Sequence, residues 1–333
     1  MEYSGPSSRR SPKFLIPDTS SLTTEHTPLG GPVHKLFTPF GGEILARTAT
    51  GLFRSEDNGS TWTGVTLPAS PGLVAVANNP QTIYAASSSS LQKTTNGGAT
   101  WTSVLTTGTS PIIGLAISPA DSNIVYVALG GGSYELRRSL NGGSTWTILQ
   151  GPLMGNLCSW TVNILKPHET DSHRAFRSSG CYAGRNVPTG DSLWHTTDQG
   201  ATWTEVFHPM GLFPSRLAGG LGAGSQRYYL GAHVAASPGG GKLFRSDDDG
   251  ATWTQILNFA SGPSVQGLAC HASLPQRVYA GLTTGVVQSS DNAGATWSNL
   301  GQSGLGGMED LALSRNETTL FAATPSGVWR IFV

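Results

Sequence analysis

The chain has 333 residues, and its 20 Lys plus Arg balance its 20 Asp plus Glu, so no net field draws it to nucleic acid or to an anionic membrane. Hydrophobic residues make up 38% and charged residues 12%, against about 25% charged in an average domain, which excludes a disordered polyelectrolyte. With 44 glycines and 20 prolines the chain is rich in turns, and no apolar run approaches the length of a transmembrane helix, about 18 residues or more.

The N-terminal stretch MEYSGPSSRRSPKFLIPDTSS carries a twin arginine, Arg9 and Arg10, followed by the short apolar run Phe14, Leu15, Ile16 that Pro17 closes. A secretory signal needs an apolar core of about 7 to 15 residues. The stretch is therefore read as a flexible segment, 1–12, ahead of a domain spanning 13–333, with a cytoplasmic location if this is the native start.

From there one motif recurs six times: SEDNGSTW at 55–62, TTNGGATW at 94–101, SLNGGSTW at 139–146, TTDQGATW at 196–203, SDDDGATW at 246–253 and SDNAGATW at 290–297. The pattern is S/T-x-D/N-x-G-x-x-W. The sixth copy admits a second alignment on Ser289 and Asp291 with Ala293 inserted. The tryptophans Trp62, Trp101, Trp146, Trp203, Trp253 and Trp297 lie on average 47 residues apart, a period that fits about seven times into the chain.

Around each motif the same order of elements recurs, and in one unit it reads IIGLAIS (112–118), NIVYVAL (123–129), YELRRS (134–139), the motif turn, then TWTIL (145–149). The tail repeats three strands without a motif or a fourth strand: MEDLALS (308–314), TTLFAAT (318–324) and GVWRIFV (327–333). The first complete unit starts near His34, which leaves KFLIP (13–17) as a surplus strand upstream. Residues near Phe14 to Ile16 are expected to supply the missing outer strand of the last unit, because ring closure covers the edge a partial sheet leaves exposed. Units of four short strands at this period predict an all-β, seven-bladed β-propeller of four-stranded antiparallel blades whose N-terminal strand closes the last blade.

On these six motifs the chain resembles the Asp-box, or BNR-repeat, β-propeller superfamily. That superfamily contains sialidases, xyloglucan-active glycosidases, the sortilin ectodomain and the photosystem II assembly factor family. The compact regular propeller looks most like the assembly-factor type. Sialidases of the superfamily open on an F-R-I-P motif; the nearest string here is Phe14-Leu15-Ile16-Pro17, without the arginine, and xyloglucan-active relatives pair two propellers in a chain about twice as long. By resemblance the location is extracytoplasmic, the alternative to the cytoplasmic reading above.

The motif residues Asp57, Asn96, Asn141, Asp198 and Asp248 read as structural, since a group present in every blade does not mark one site. Their side chains cap the turn, the glycine supplies positive φ, and the tryptophan packs between blades. Calcium binding at these carboxylates is the minor alternative. The column Arg54, Lys93, Arg138, His195, Arg245 and Arg330 just ahead of the motifs reads as solvated or interblade.

Motif turns join third to fourth strands, so the functional face is expected opposite them, where insertions concentrate in the fourth and fifth blades. There Trp160, Tyr182, Arg185, His208, Phe213, Arg216 and His233 are candidate ligand-binding residues. Among carboxylates, Glu135, Asp191, Glu309 and Asp310 fall on that face, and Asp191 with Glu309 or Asp310 is the candidate pair for glycoside hydrolysis. Cys158 and Cys181 end neighbouring strands and could face each other as a disulfide or as two thiols, while Cys270 reads as a small buried hydrophobe. No metal-ligand spacing appears, and neither metal nor cofactor is expected. The reading that results is a monomeric, non-catalytic scaffold that binds a protein or glycan on its loop face, with no nucleic acid partner and no membrane span. A glycoside hydrolase and a carbohydrate-binding lectin are the alternatives.

Overall fold

Each repeat unit folds into one four-stranded antiparallel sheet, and seven such sheets stand as blades around a central channel. The computed structural model describes residues 24–39, 41–68, 71–131, 135–149, 158–161, 164–183, 191–208, 211–220, 226–234, 240–259, 262–300 and 305–333. Blade 1 runs outward from the channel as Val33–Phe37, Ile44–Thr48, Leu52–Ser55 and Thr63–Val65. Blade 2 begins at Leu73–Val76, blade 3 at Ile112–Ile117, blade 5 at Leu212–Gly219 and blade 6 at Val265–Cys270. Blade 4 has a divided inner strand, Cys158–Thr161 and Leu165–Pro167, both paired with the nine-residue strand Ala175–Ala183. No helix occurs among the described residues.

Blade 7 is built from Asp310–Leu313, Thr319–Thr324 and Gly327–Phe332, and its outer strand is Thr24–Gly30. The N-terminal strand therefore closes the last blade, but it is not the stretch the apolar residues suggested. Phe14 to Ile16, and the boundary between 1–12 and 13–333, lie outside the described residues. An outer strand is buried on one face only, so it needs alternation rather than an apolar run; Thr27 and Leu29 are buried while His26, Pro28 and Gly30 are exposed.

The core is distributed over the gaps between blades. Seven apolar clusters occur among the described residues, one for each pair of neighbouring blades. Trp62 packs against the cluster between blades 7 and 1, Trp101 between blades 1 and 2, and Trp146 between blades 2 and 3. Trp203, Trp253 and Trp297 continue the series, so every repeated tryptophan leans on the preceding blade. Only the gap between blades 6 and 7 has no such tryptophan, and Leu300, Leu305 and Met308 fill it. Near the axis the blades converge and side chains must shrink: a Cβ on Gly267 would lie 2.5 Å from the Cβ of Leu311 in the next blade.

The repeated turns are hydrogen-bonded alike. In the first, Asp57 Oδ1 accepts from Ser55 Oγ at 2.8 Å and from Thr61 N at 2.8 Å, and its Oδ2 accepts from Thr61 Oγ1 at 2.6 Å. These bonds, the Thr61 hydroxyl's first, hold the Asp57 carboxyl down at about 2. Asn96 and Asn141 accept in the same way and donate from Nδ2 to the following threonine hydroxyl. In the sixth copy Ser290 and Asn292 make these bonds rather than Ser289 and Asp291. Ala293 is not inserted: it occupies the left-handed position, φ 58°, that Asn58, Gln199 and Asp249 hold elsewhere, and Asp291 pairs with Arg277 instead.

The charged column ahead of these turns is interblade. Lys93 Nζ donates to Gly142 O at 3.1 Å, Arg138 to Gln199 O at 2.7 Å, Arg245 to Ala293 O at 2.8 Å and Arg330 to Asn58 O at 3.1 Å, each reaching the next blade's turn. Arg54 reaches Pro80 O at 2.8 Å, and His195 lies 3.7 Å from Asp249.

Candidate functional site

An inner strand has a neighbour on one side only, so its other edge turns main-chain N–H and C=O groups toward the axis, where water or side chains must satisfy them. Seven such edges enclose a cavity of about 880 Å³, lined from every blade. Each inner strand starts on the face opposite the repeated turns and ends on the face that carries them, as the turn order requires.

At the repeated-turn end, side chains cross the channel. Arg315, in the first turn of blade 7, donates to Thr38 O of blade 1 at 2.7 Å and to Asn78 Oδ1 of blade 2 at 3.1 Å, and lies 3.7 Å from Glu169 of blade 4. Burial pushes the Glu169 carboxyl up, but Lys166 at 2.8 Å and Arg315 outweigh it and hold the group below the ordinary range. Asn78 in turn donates to Pro119 O of blade 3 at 2.6 Å. Glu317 reaches back to blade 6, where it accepts from the Ala272 and Ser273 amides and faces His271 at 2.8 Å. The blade without a repeated turn thus ties most of the ring together.

At the opposite end the polar groups come from blades 5, 6, 7 and 1. Arg216 Nη2 donates to Gln266 Oε1 and to Glu309 O, each at 3.1 Å, and its Nε donates to Gln266 O. Asp310 is buried, accepts from the Leu36 amide at 3.0 Å and pairs with Lys35 at 3.1 Å. The terminal nitrogens of Arg47 donate to main-chain oxygens, Gly51 O at 3.0 Å and Pro71 O at 2.7 Å among them. Glu309 is half-buried, and its carboxylate has no partner among the described residues. Blades 2 and 3 present Leu73 and Ile113 at this level, so one wall is polar and the other apolar.

Of the sequence-predicted residues, the channel brings together Arg216, Glu309 and Asp310. Asp191 is apart from them: it is 1% exposed and its amide donates to Leu212 O. Glu135 sits on the third strand of blade 3, paired with Arg137. Phe213 and His233 are not in loops but opposite each other on the first two strands of blade 5, ring centroids 5.5 Å apart; burial, then Arg216, keeps His233 below its usual range. Parts of the insertions of blades 4 and 5 lengthen the strands Ala175–Ala183, Leu212–Gly219 and Tyr228–Val234, while 150–157, 184–190 and 235–239 lie outside the described residues. Trp160 and Tyr182 also fall on strands, with Trp160 opposite Cys181 and Tyr182 opposite Ser159, while Cys158 faces Ala183 rather than Cys181. Arg185 lies outside the described residues.

Sequence reading missed the partners of His208. Its Nδ1 is 2.6 Å from Ser192 Oγ and 3.0 Å from Glu205 Oε1, and the serine also donates to that glutamate. A nucleophile relay needs the serine on one ring nitrogen and the carboxylate on the other; here both crowd the same nitrogen, and the serine proton goes to the carboxylate. No group of three His, Cys, Asp or Glu among the described residues is placed to hold a metal ion, and no described helix is long and apolar enough to cross a membrane.

No protein-family model matches the chain, and no curated protein sequence matches it. Solved structures do. The GH74 xyloglucanase from Xanthomonas campestris superposes with a TM-score of 0.69 at 18% identity, covering 93% of this chain and 53% of that one. YCF48 bound to a D1 peptide gives 0.65 at 14% identity, over 95% of this chain and 96% of that one, and YCF48 from Cyanidioschyzon merolae gives 0.66 at 13%, over 94% and 98%. The chain thus spans about half the length of the xyloglucanase and nearly all of the YCF48 structures. At such identities the likeness carries the fold alone: the chain is a seven-bladed β-propeller.

Proposed function

We propose that this is a non-catalytic propeller of the Asp-box type that captures a polypeptide on the face opposite its repeated turns, at the mouth of the central channel. The observation that carries this reading is the state of the channel carboxylates. Glycoside hydrolysis needs two carboxyl groups facing each other across the scissile bond, one of them free to give up a proton. Asp310 is committed to Lys35 and the Leu36 amide, Glu169 to Lys166 and Arg315, and Glu317 to blade 6. Among the described residues Glu309 alone of these carboxylates remains without a partner, and Asp191 does not line the channel. The box-end crossing by Arg315 favours approach from the other face. The full-length likeness to a peptide-bound YCF48 accords with a protein ligand.

The test pairs two assays on the whole protein. Incubation with xyloglucan and with sialyllactose, read by product mass, is expected to release nothing, while selection from a displayed peptide library is expected to yield saturable binders. Sugar release that disappears in the Glu309→Gln/Asp310→Asn double variant would overturn the proposal in favour of a glycosidase.

A further inference from the structure

The charged groups at the binding end of the channel are not equally available to a ligand. Lys35 is neutralised by Asp310 at 3.1 Å. Arg216 and Arg47 keep their positive charge but turn donors to oxygens of the protein's own chain and amide groups, with Arg47 Nε buried. Glu309 is half-buried and, among the described residues, is the one channel carboxylate that makes no hydrogen bond or ion pair. It is not a loose surface residue either: its carbonyl accepts from Arg216 at 3.1 Å and its amide donates to Ala323 O at 2.9 Å, so the backbone that carries the carboxylate is tethered on both sides. A tethered carboxylate whose oxygens are free, in a concave mouth where the cations already have their donors engaged, is the charged group still able to accept a hydrogen bond from a ligand, and a cationic donor makes the strongest one.

We infer, resting on the polypeptide-capture reading, that the ligand presents a lysine or arginine side chain that pairs with Glu309 in the channel mouth. The opposite wall at this level is apolar, with Leu73 and Ile113, and suits the methylene stem that such a side chain or its neighbours bring along. Arg216 has a positioning role, holding the Glu309 main chain rather than meeting the ligand.

The test is a selection of linear dodecapeptides on the immobilised full-length protein, followed by affinity measurement of one enriched peptide by fluorescence anisotropy. Enriched sequences should share a basic residue, and replacing it with norleucine should weaken binding about tenfold. Glu309→Gln should weaken the parent peptide equally and leave the norleucine peptide unchanged. In Glu309→Lys, a peptide with glutamate at that position should bind better than the parent, which keeps the test independent of any loss of folded protein. Enriched peptides that bind wild type and Glu309→Gln alike, or that share an acidic residue, overturn the inference while leaving polypeptide capture intact. Failure to enrich any peptide removes the capture reading and the inference with it.

Discussion

Replacing Arg315 with methionine keeps the aliphatic stem and deletes the guanidinium that joins blades 7, 1, 2 and 4. Hydrogen bonds from a charged donor contribute about 1.5–3 kcal/mol each, and Arg315 makes two described ones, at 2.7 and 3.1 Å, plus the 3.7 Å approach to Glu169. Its side chain is 29% exposed, so solvent screening cuts the sum, and a loss of about 2–3 kcal/mol is expected. For a domain of this size that is a fall in Tm of roughly 3–4 °C. The pH dependence is the sharper readout. Glu169 has a folded pKa below its unfolded value, so its contribution is present above about pH 4.3 and is lost as the pH falls through the folded pKa. Without Arg315 the folded value rises, so the deficit of the variant is largest near neutrality and shrinks in acid to the part supplied by Thr38 O and Asn78. Guanidinium chloride unfolding of both proteins at pH 7 and pH 3 measures this. A deficit below about 0.5 kcal/mol at pH 7, or one that does not change with pH, would refute the hub.

The repeated turns make an acid prediction. Asp57 and Asp198 are held at about 2, Asp57 mainly by its threonine hydroxyl and Asp198 by turn hydrogen bonds that outweigh burial, and Asp248 is also held down; their contribution is therefore present above about pH 4 and lost between pH 4 and pH 2. The triple variant with asparagine at these positions, the residue used at Asn96, Asn141 and Asn292, should lose less Tm over that interval than wild type, and an identical loss would count against it. Gly250 has φ +85° and a Cβ there would lie 2.6 Å from Phe176, whereas Gly108 has φ +64° with open space around it. Gly250→Ala should thus cost clearly more than the roughly 1 kcal/mol expected of Gly108→Ala in urea unfolding, and equal costs would mean that Phe176 yields freely. Trp146 donates to Val104 O at 2.9 Å and Gly143 O at 3.1 Å, while Trp203 Nε1 is buried without an acceptor among the described residues. Trp146→Phe should therefore destabilise by about 1–2 kcal/mol more than Trp203→Phe, which thermal melts of the two variants would check.

The blades were readable because their information is local. A hydroxyl, a carboxyl or amide two residues on, a glycine and a tryptophan, within eight residues, specify a turn whose bonds close inside it, and six copies set the period. Failures arose where local signals were weak or degenerate. The closing strand Thr24–Gly30 needs only Thr27 and Leu29 to face inward, so the more apolar Phe14 to Ile16 drew attention away from it. Ser289-Ser290 and Asp291-Asn292 offer two equivalent alignments, and only the left-handed backbone at Ala293 selects one. The channel was legible in part. Position along the blade placed Glu309 and Asp310 on the correct face, but not that Lys35 would take Asp310, because that pairing spans the ring closure. Arg315 gave no signal at all: it stands in an unremarkable turn, and its partners Thr38, Asn78 and Glu169 are remote in sequence.

Ring closure by an outer strand also decides how the molecule responds to force. Thr24 faces Ile331 and Gly30 faces Gly327 across an antiparallel ladder. Tension applied upstream of Thr24 and downstream of Ile331 therefore meets the same end of that ladder and loads its bonds one pair after another. Such a geometry peels like a zipper instead of shearing all rungs together. Under pulling, blade 7 should release its outer strand first and at low force, while blades 1 to 6, each sewn by continuous turns, persist as an opened arc.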